Sequence, residues 1–178
     1  MKQYYTEKKY KELLQYMTIL YDSKEQVNDH ILKYFDDNKI HYRKKALKTG
    51  DYSMMISACP ELGFIVDTYF TDELIIERKN SVKELAGNLA NNQKDDRFMK
   101  ELNRLINVKH SSLIVENDSL DDIIEHNYDT DYNEISFLRT LLTWQKRSNF
   151  YLNFINKDNM GQFIYEICKN CLDNYILK

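Results

Sequence analysis

The sequence predicts a mixed α/β fold in which helices flank a central β-sheet within one domain. Along the 178-residue chain, short apolar runs of strand length alternate with segments whose apolar residues recur about every 3.6 positions. Hydrophobic residues make up 43% of the chain and charged residues 30%, a balance that supports a folded core. Only four Gly and one Pro are present, which excludes collagen-like and Pro-rich proteins.

The first part of the chain predicts an N-terminal helical extension over residues 1–16, rich in Lys and Tyr, followed by the domain proper from residue 17. Met17–Tyr21 has the length and composition of a strand. The polar residues after it begin a predicted helix over residues 24–37, for which Ser23 is the expected N-cap.

The rest of the chain predicts three strands and then an alternation of helices and strands. The three strands are expected over residues 51–56, 64–69 and 73–77. After Glu77 the apolar period changes from two to about 3.6. Helices are expected over residues 81–89, 95–106, 119–127, 134–146 and 159–176, and strands over residues 111–116 and 150–155. Strands separated by helices indicate a single mixed α/β domain.

Charge is unevenly distributed. Residues 116–134 carry eight acidic side chains and no Lys or Arg, and without them the formal net charge changes from −3 to +5. The segment is either an acidic flank that leaves a basic face for a polyanion elsewhere, or simply a solvated helix and loop. The 14 Tyr and eight Phe residues are core side chains or base-stacking platforms, and composition alone favours the core.

The chain lacks the sequence features of membrane and secreted proteins. No apolar run approaches the length of a membrane span, and no apolar block follows the basic N-terminus as it would in a signal peptide. Cys168 and Cys171 fall on the apolar stripe of the last predicted helix and are expected in the core. We therefore expect a cytoplasmic or otherwise intracellular protein that does not bind membranes.

The most informative stretch is residues 74–79, where three apolar residues are followed by Glu77, Arg78 and Lys79. A buried unpaired charge is costly, so charges that end an apolar strand normally face water, a metal or a ligand. Because side chains alternate along a strand, Glu77 and Lys79 are expected on the same side.

A second carboxylate, Asp51, begins a predicted strand directly after a turn at Gly50. Two carboxylates can hold Mg²⁺, which keeps several waters and binds phosphate oxygens. The ion lowers the pKa of a bound water, and the Lys79 ammonium can orient that water or stabilise the developing oxyanion. Asp…Glu-x-Lys is the pattern of PD-(D/E)xK nucleases, although it also occurs by chance in other α/β proteins.

The full set of motifs resembles the nuclease domain of the XPF-type structure-specific endonucleases. The family pattern Asp-x-Arg-Glu, Gly-Asp-Tyr/Phe and Glu-Arg-Lys-x-x-x-Asp is matched by residues 22–25, 50–52 and 77–79. The likeness is greatest to the solitary nuclease domains of phages and mobile elements, which share the Glu-Leu-x-Gly-Asn helix start at residues 84–88. It implies a restriction-endonuclease-like fold, with the XPF-type nuclease domain over residues 17–178.

By this resemblance the chain is an enzyme that depends on Mg²⁺, with Mn²⁺ able to substitute. Asp51 and Glu77 would be the main metal ligands, and Asp22 and Glu25 would complete the acidic cluster.

The resemblance also assigns the basic residues of the motifs and exposes two departures from the family pattern. Lys79 would be the catalytic lysine, and Arg78 would lie near the phosphates or hold the carboxylates. Lys24 replaces the usual Arg of the first motif and loses its planar fork. The usual Asp of the third motif falls at Lys83, so its role passes to Glu84, one position later, or is absent.

Basic side chains outside the catalytic motif are candidates for contact with DNA phosphates. Arg43, Lys44 and Lys45 precede Asp51 in a segment expected to border the same cleft, with an ordinary exposed strand edge as the alternative. A basic stripe on the predicted helix 95–106 is either a solvated face or a DNA contact. The DNA-binding candidates are therefore Lys24, Arg43, Lys44, Lys45, Arg97, Lys100 and Arg104.

Two functions are open on the sequence alone. The first is a metal-dependent DNA endonuclease that cuts near a branch, a flap or another single-strand to double-strand transition. It would serve repair, recombination or phage DNA processing, and the resemblance is consistent with a phage-encoded protein that acts in a bacterial host. The second is a catalytically weak or inactive DNA-binding scaffold of the same fold. Retention of the carboxylates beside Lys79 favours the enzyme, and a homodimer is implied only by the resemblance.

Overall fold

The computed structural model describes residues 5–90, 100, 103–148 and 150–177. Within these residues the chain forms seven strands: Met17–Tyr21 (β1), Tyr42–Lys44 (β2), Tyr52–Ile56 (β3), Thr68–Tyr69 (β4), Leu74–Lys79 (β5), His110–Glu116 (β6) and Phe150–Ile155 (β7). The helices described with both bounds are Glu7–Leu13 (α1), Asp29–Asp37 (α2), Val82–Ala90 (α3), Leu120–Ile124 (α4), Glu134–Ser148 (α5) and Met160–Ile176 (α6).

All seven strands belong to one mixed sheet. Its spatial order is β2-β1-β3-β5-β6-β7, and β4 pairs with the carboxyl end of β3. β1, β2, β5, β6 and β7 run in one direction, and β3 runs antiparallel between β1 and β5. The carboxyl ends of β1, β5 and β6 therefore meet the amino end of β3 at a single edge of the sheet, which we call the site edge.

Helices cover both faces of the sheet. On one face α2 and α6 pack on side chains such as Ile19, Met54 and Ile76. On the other face α3 and α5 pack on β5, β6 and β7 around Ile75 and Leu113. Successive side chains of β5 therefore point to opposite faces of the sheet, and both faces are buried.

The predicted fold class is confirmed: a mixed central sheet is flanked by helices. The predicted helix over residues 24–37 begins later, at Asp29, because the turn after β1 is closed by the Asp22 carboxylate. Ser23 therefore does not cap it, and Asn28 occupies the N-cap position. The predicted strand 64–69 shortens to Thr68–Tyr69.

The structure describes only part of two further predictions. Most of the predicted helix 95–106 lies outside the described residues, and residues 103–105 are helical. The extension over residues 1–16 contains α1, whose Leu13 is buried in the main core, and the domain boundary at residue 17 stays a prediction. None of the helices described here is long and apolar enough to cross a membrane.

Candidate active site

Asp51, Glu77 and Lys79 come together at the site edge. Asp51 immediately precedes β3, whereas Glu77 and Lys79 end β5, which pairs with β3. Both β5 side chains share the face of Ile75 rather than that of Ile76, as the alternation along the strand requires.

The backbone of Asp51 ties three strands together. Its N–H donates to the Ile76 carbonyl at 2.8 Å, and its carbonyl accepts from the Asp22 N–H at 2.7 Å. The Asp51 carboxylate accepts a further bond from the Arg78 N–H at 2.7 Å. The Asp51 carboxylate is therefore held at a fixed position beside the end of β5.

Gly50 makes this approach possible. Its φ of +70° is a conformation that glycine adopts without strain, and a Cβ there would lie 2.2 Å from Ile75 Cγ2. Glycine at position 50 is thus required by the close contact between the turn and β5.

Asp51 and Glu77 form a pair of like charges with little access to water. Burial raises the pKa of Asp51 well above its usual value, and the neighbouring Glu77 carboxylate raises it further. Glu77 is itself 5% exposed. Two carboxylates held this way are stabilised by a cation between them.

Lys79 supplies one positive charge at this pair. Its Nζ lies 2.6 Å from Glu77 Oε1 and 3.9 Å from Glu84 Oε1. Burial by itself would lower the pKa of Lys79, but Glu77 and Asp51 outweigh it and raise the pKa. Lys79 is therefore an ammonium that donates a hydrogen bond to Glu77.

Glu84 lies beside Lys79 at the start of α3. Its Oε2 accepts from the backbone N–H of Asn80 at 2.9 Å and from the Asn80 side chain at 3.1 Å. Its other oxygen faces Lys79. Glu84 thus orders the start of α3 while it adds negative charge near the lysine.

Arg78 points to the opposite side of β5 and lies in a buried ion network. It forms a two-pronged pair with Glu116, with Nε 2.8 Å from Oε1 and a terminal nitrogen 2.9 Å from Oε2. Its other terminal nitrogen is 2.6 Å from Glu25 Oε1, and His30 Nε2 lies 2.7 Å from Glu116 Oε1. The resemblance assigned Arg78 either a place near the phosphates or the role of holding the carboxylates, and these contacts match the second role.

Two predicted metal ligands, Asp22 and Glu25, are engaged by other groups. Asp22 accepts from the backbone N–H groups of Leu47 at 2.8 Å and Lys24 at 3.1 Å, and Glu25 is paired with Arg78. Among the residues that the structure describes, no three His, Cys, Asp or Glu side chains are placed to hold a metal ion. The other two predicted ligands also have partners, since Asp51 accepts from the Arg78 N–H and Glu77 pairs with Lys79, so the metal-binding role of all four carboxylates stays a prediction.

Asp22→Ala is expected to lower the free energy of unfolding by about 1–3 kcal/mol, because two backbone N–H groups lose a buried acceptor. Asp22→Asn keeps one acceptor and is expected to lose less. Urea denaturation measures both, with Asp29→Ala on the exposed start of α2 as the matched control. Equal stability of Asp22→Ala and the parent would show that the carboxylate has no such role.

The predicted DNA-contacting side chains divide into three groups. Lys24 follows β1 at the site edge, and Arg43, Lys44 and Lys45 lie on or just after the edge strand β2; all four are exposed. Lys100 and Arg104 are exposed and helical. Arg97 lies outside the described residues.

Sequence reasoning missed Glu116 and His30 in the network around Arg78. Glu116 belongs to the acidic segment that was expected to be solvated, but it is 2% exposed. Its position at the end of an apolar strand, like that of Glu77, was the signal that could have identified it. His30 gave no such signal, because its contact with Glu116 joins residues 86 positions apart.

Comparison with known proteins finds one matching family model and similar solved structures. The family model for the ERCC4 domain matches residues 21–167. The structure of XPF from Aeropyrum pernix is similar with a TM-score of 0.58 and 17% identity, covering 86% of this chain and 60% of that one. Its complex with DNA gives the same TM-score and identity, covering 88% and 66%. No curated protein sequence matches.

These matches confirm the predicted resemblance to XPF-type nuclease domains. At 17% identity the two structures show the fold, and this chain spans less than two thirds of either of them.

Proposed function

The chain belongs to the ERCC4 domain family, and from that membership we propose that it is a DNA endonuclease that hydrolyses phosphodiester bonds with the help of Mg²⁺. The observation that carries the proposal is the convergence of Asp51, Glu77 and Lys79 at one sheet edge. Packing of the described core gives no reason for two like charges and an ammonium at this place, whereas metal-assisted phosphodiester hydrolysis uses such a set.

The donor set fits Mg²⁺. This ion is commonly bound by one or two carboxylates together with waters and substrate phosphates, so Asp51 and Glu77 suffice. Mn²⁺, which also prefers oxygen ligands, is expected to substitute. When bound, the ion supplies an activated water and neutralises charge on the scissile phosphate.

The other side chains of the site position and neutralise charge. Lys79, whose Nζ lies near Glu77 and Glu84, would stabilise the negative charge that develops on the phosphate. Arg78 keeps the end of β5 in place from the opposite side by its pairs with Glu25 and Glu116.

DNA is proposed to lie across the face of the sheet that carries these groups. Arg43 on β2 and Lys45 just after it lie on this face, in contact with Tyr69 of β4. Their positive charge, with that of Lys24 and Lys44, would bind the phosphate backbone. A solved structure with the same fold is XPF from Aeropyrum pernix in complex with DNA, which supports DNA as the ligand.

Several finer features belong to the same proposal. We propose branched, flap or junction DNA as the substrate, and repair, recombination or phage DNA processing as the setting. A homodimer, an intracellular location and a phage origin complete it.

Incubation of the purified protein with labelled linear, flap and four-way DNA tests the function. Strand cleavage is expected with Mg²⁺ or Mn²⁺ and none with EDTA, and a branched substrate is expected to be cut faster than its linear control. DNA binding without cleavage on every substrate and with both metals would instead support the inactive scaffold.

A further inference from the structure

We propose that Tyr69, together with Arg43, Lys45 and the cleft beside them, is a binding site for unpaired bases of single-stranded DNA. The inference deepens the proposed function and rests on it for the path of the DNA strand toward the catalytic residues. It assigns to Tyr69 and the cleft a role that the motifs do not provide.

Tyr69 is an exposed aromatic side chain in a basic environment. The residue is 42% exposed, and its hydroxyl accepts a hydrogen bond from Arg43 at 3.0 Å. Lys45 Nζ lies 4.8 Å from the ring centroid, which is a cation–π contact. An aromatic ring flanked by cations is the combination that binds single strands, because the ring stacks on a base while the cations bind phosphates.

The loop that leads to Tyr69 adds exposed apolar surface. Ile65 is 78% exposed and Val66 is 67% exposed, although the neighbouring Phe64 is buried. Two adjacent aliphatic side chains that face water offer apolar contact to the faces of unstacked bases.

A cleft of about 380 Å³ lies next to this cluster. Its lining includes Arg43 and Met55, together with the hydrogen-bonding side chains Thr18 and His41. Asp67 also lines it, and one oxygen of its carboxylate accepts from a backbone N–H at 3.0 Å. The cleft combines the Arg43 guanidinium with several hydrogen-bond donors and acceptors, which suits the polar edge of a base.

The position of Tyr69 relative to Asp51 and Glu77 fits one continuous DNA strand that contacts both places. Met55 pairs with Tyr69 and is four residues from Asp51, so the two sites lie about 14 Å apart along β3 on one face. At a rise of about 3.4 Å per stacked nucleotide, roughly four nucleotides span this distance. A single-stranded segment next to the cut can therefore reach both places.

Binding of a fluorescein-labelled oligo-dT in EDTA tests the site without cleavage. Tyr69→Ala is expected to weaken binding about tenfold, as loss of one stacked base does, and Tyr69→Phe is expected to keep near-parental affinity. Tyr151→Ala is the matched control, because Tyr151 is 63% exposed on the edge strand β7 at the other side of the sheet. It is expected to leave affinity unchanged.

Salt dependence separates stacking from charge. Arg43→Ala and Lys45→Ala are each expected to reduce the slope of log affinity against log salt by about 0.7, the value per phosphate contact on a single strand. Tyr69→Ala is expected to leave that slope unchanged.

Two results would overturn the inference: parental affinity of Tyr69→Ala for oligo-dT, or an equal loss in Tyr151→Ala. Because binding is measured in EDTA, an error in the assignment of Asp51 and Glu77 would not affect this experiment. Conversely, normal metal-dependent cleavage with unchanged oligo-dT binding in Tyr69→Ala would remove the Tyr69 site and leave the proposed function standing.

Discussion

Asp51→Asn is expected to lower the rate of DNA cleavage by more than about a hundredfold. Loss of a side chain that merely hydrogen-bonds to a metal ligand already costs up to about a hundredfold, and Asp51 is proposed to be a ligand itself. Asparagine has the shape of aspartate and can still accept the hydrogen bond from the Arg78 N–H. What it loses is the negative charge that would hold Mg²⁺. Single-turnover cleavage of a labelled substrate, with protein in excess, measures the effect.

The same substitution is expected to leave the fold intact and to raise its stability in metal-free buffer. It removes a carboxylate whose negative charge is disfavoured by burial and repelled by Glu77. Addition of Mg²⁺ is expected to raise the melting temperature of the parent more than that of the variant. Asp129→Asn, at an exposed residue paired with Lys83, is the matched control. Cleavage by Asp51→Asn at the parental rate would remove Asp51 from the site.

Glu116→Ala is expected to lower the free energy of unfolding by about 3–5 kcal/mol, the usual cost of removing one partner from a buried ion pair. Arg78 would lose both hydrogen bonds of its two-pronged pair, and His30 would lose its contact with the carboxylate. Among the contacts described above, the buried Arg78 guanidinium would then keep one carboxylate partner, Glu25. Denaturation in urea, analysed with a common slope for parent and variant, measures the loss.

The matched control is Asp129→Ala, which breaks a solvent-exposed ion pair of 2.6 Å with Lys83. The two side chains of that pair, Lys83 and Asp129, are 58% and 89% exposed, so the expected loss is much smaller than that of Glu116→Ala. Similar losses in the two variants would contradict the claim that Arg78 is the centre of a network that holds the end of β5.

The parts of the site that depend on local rules could be predicted from the sequence. Glu77 and Lys79 follow an apolar strand at a spacing of two, and alternation along the strand is enough to place them on one side. Gly50 marked the turn that presents Asp51, and the close contact with Ile75 explains why glycine is required there.

The parts that were missed depend on contacts between distant residues. The Asp22 carboxylate, whose role as a metal ligand stays a prediction, accepts from the Leu47 N–H, and the position of Leu47 depends on the path of a loop 25 residues later. Glu116 was grouped with solvated acids, because only the parallel pairing of β5 with β6 brings it to Arg78. Neither contact leaves a periodic signal in the sequence.

Calorimetric titration with Mn²⁺ in the absence of DNA decides whether Asp51 and Glu77 hold the metal ion. We expect Mn²⁺ to bind to the parent and to Asp22→Asn, and binding to be lost in both Asp51→Asn and Glu77→Gln. Undiminished binding in those last two variants, or loss of binding only in Asp22→Asn, would show that the ion is held elsewhere.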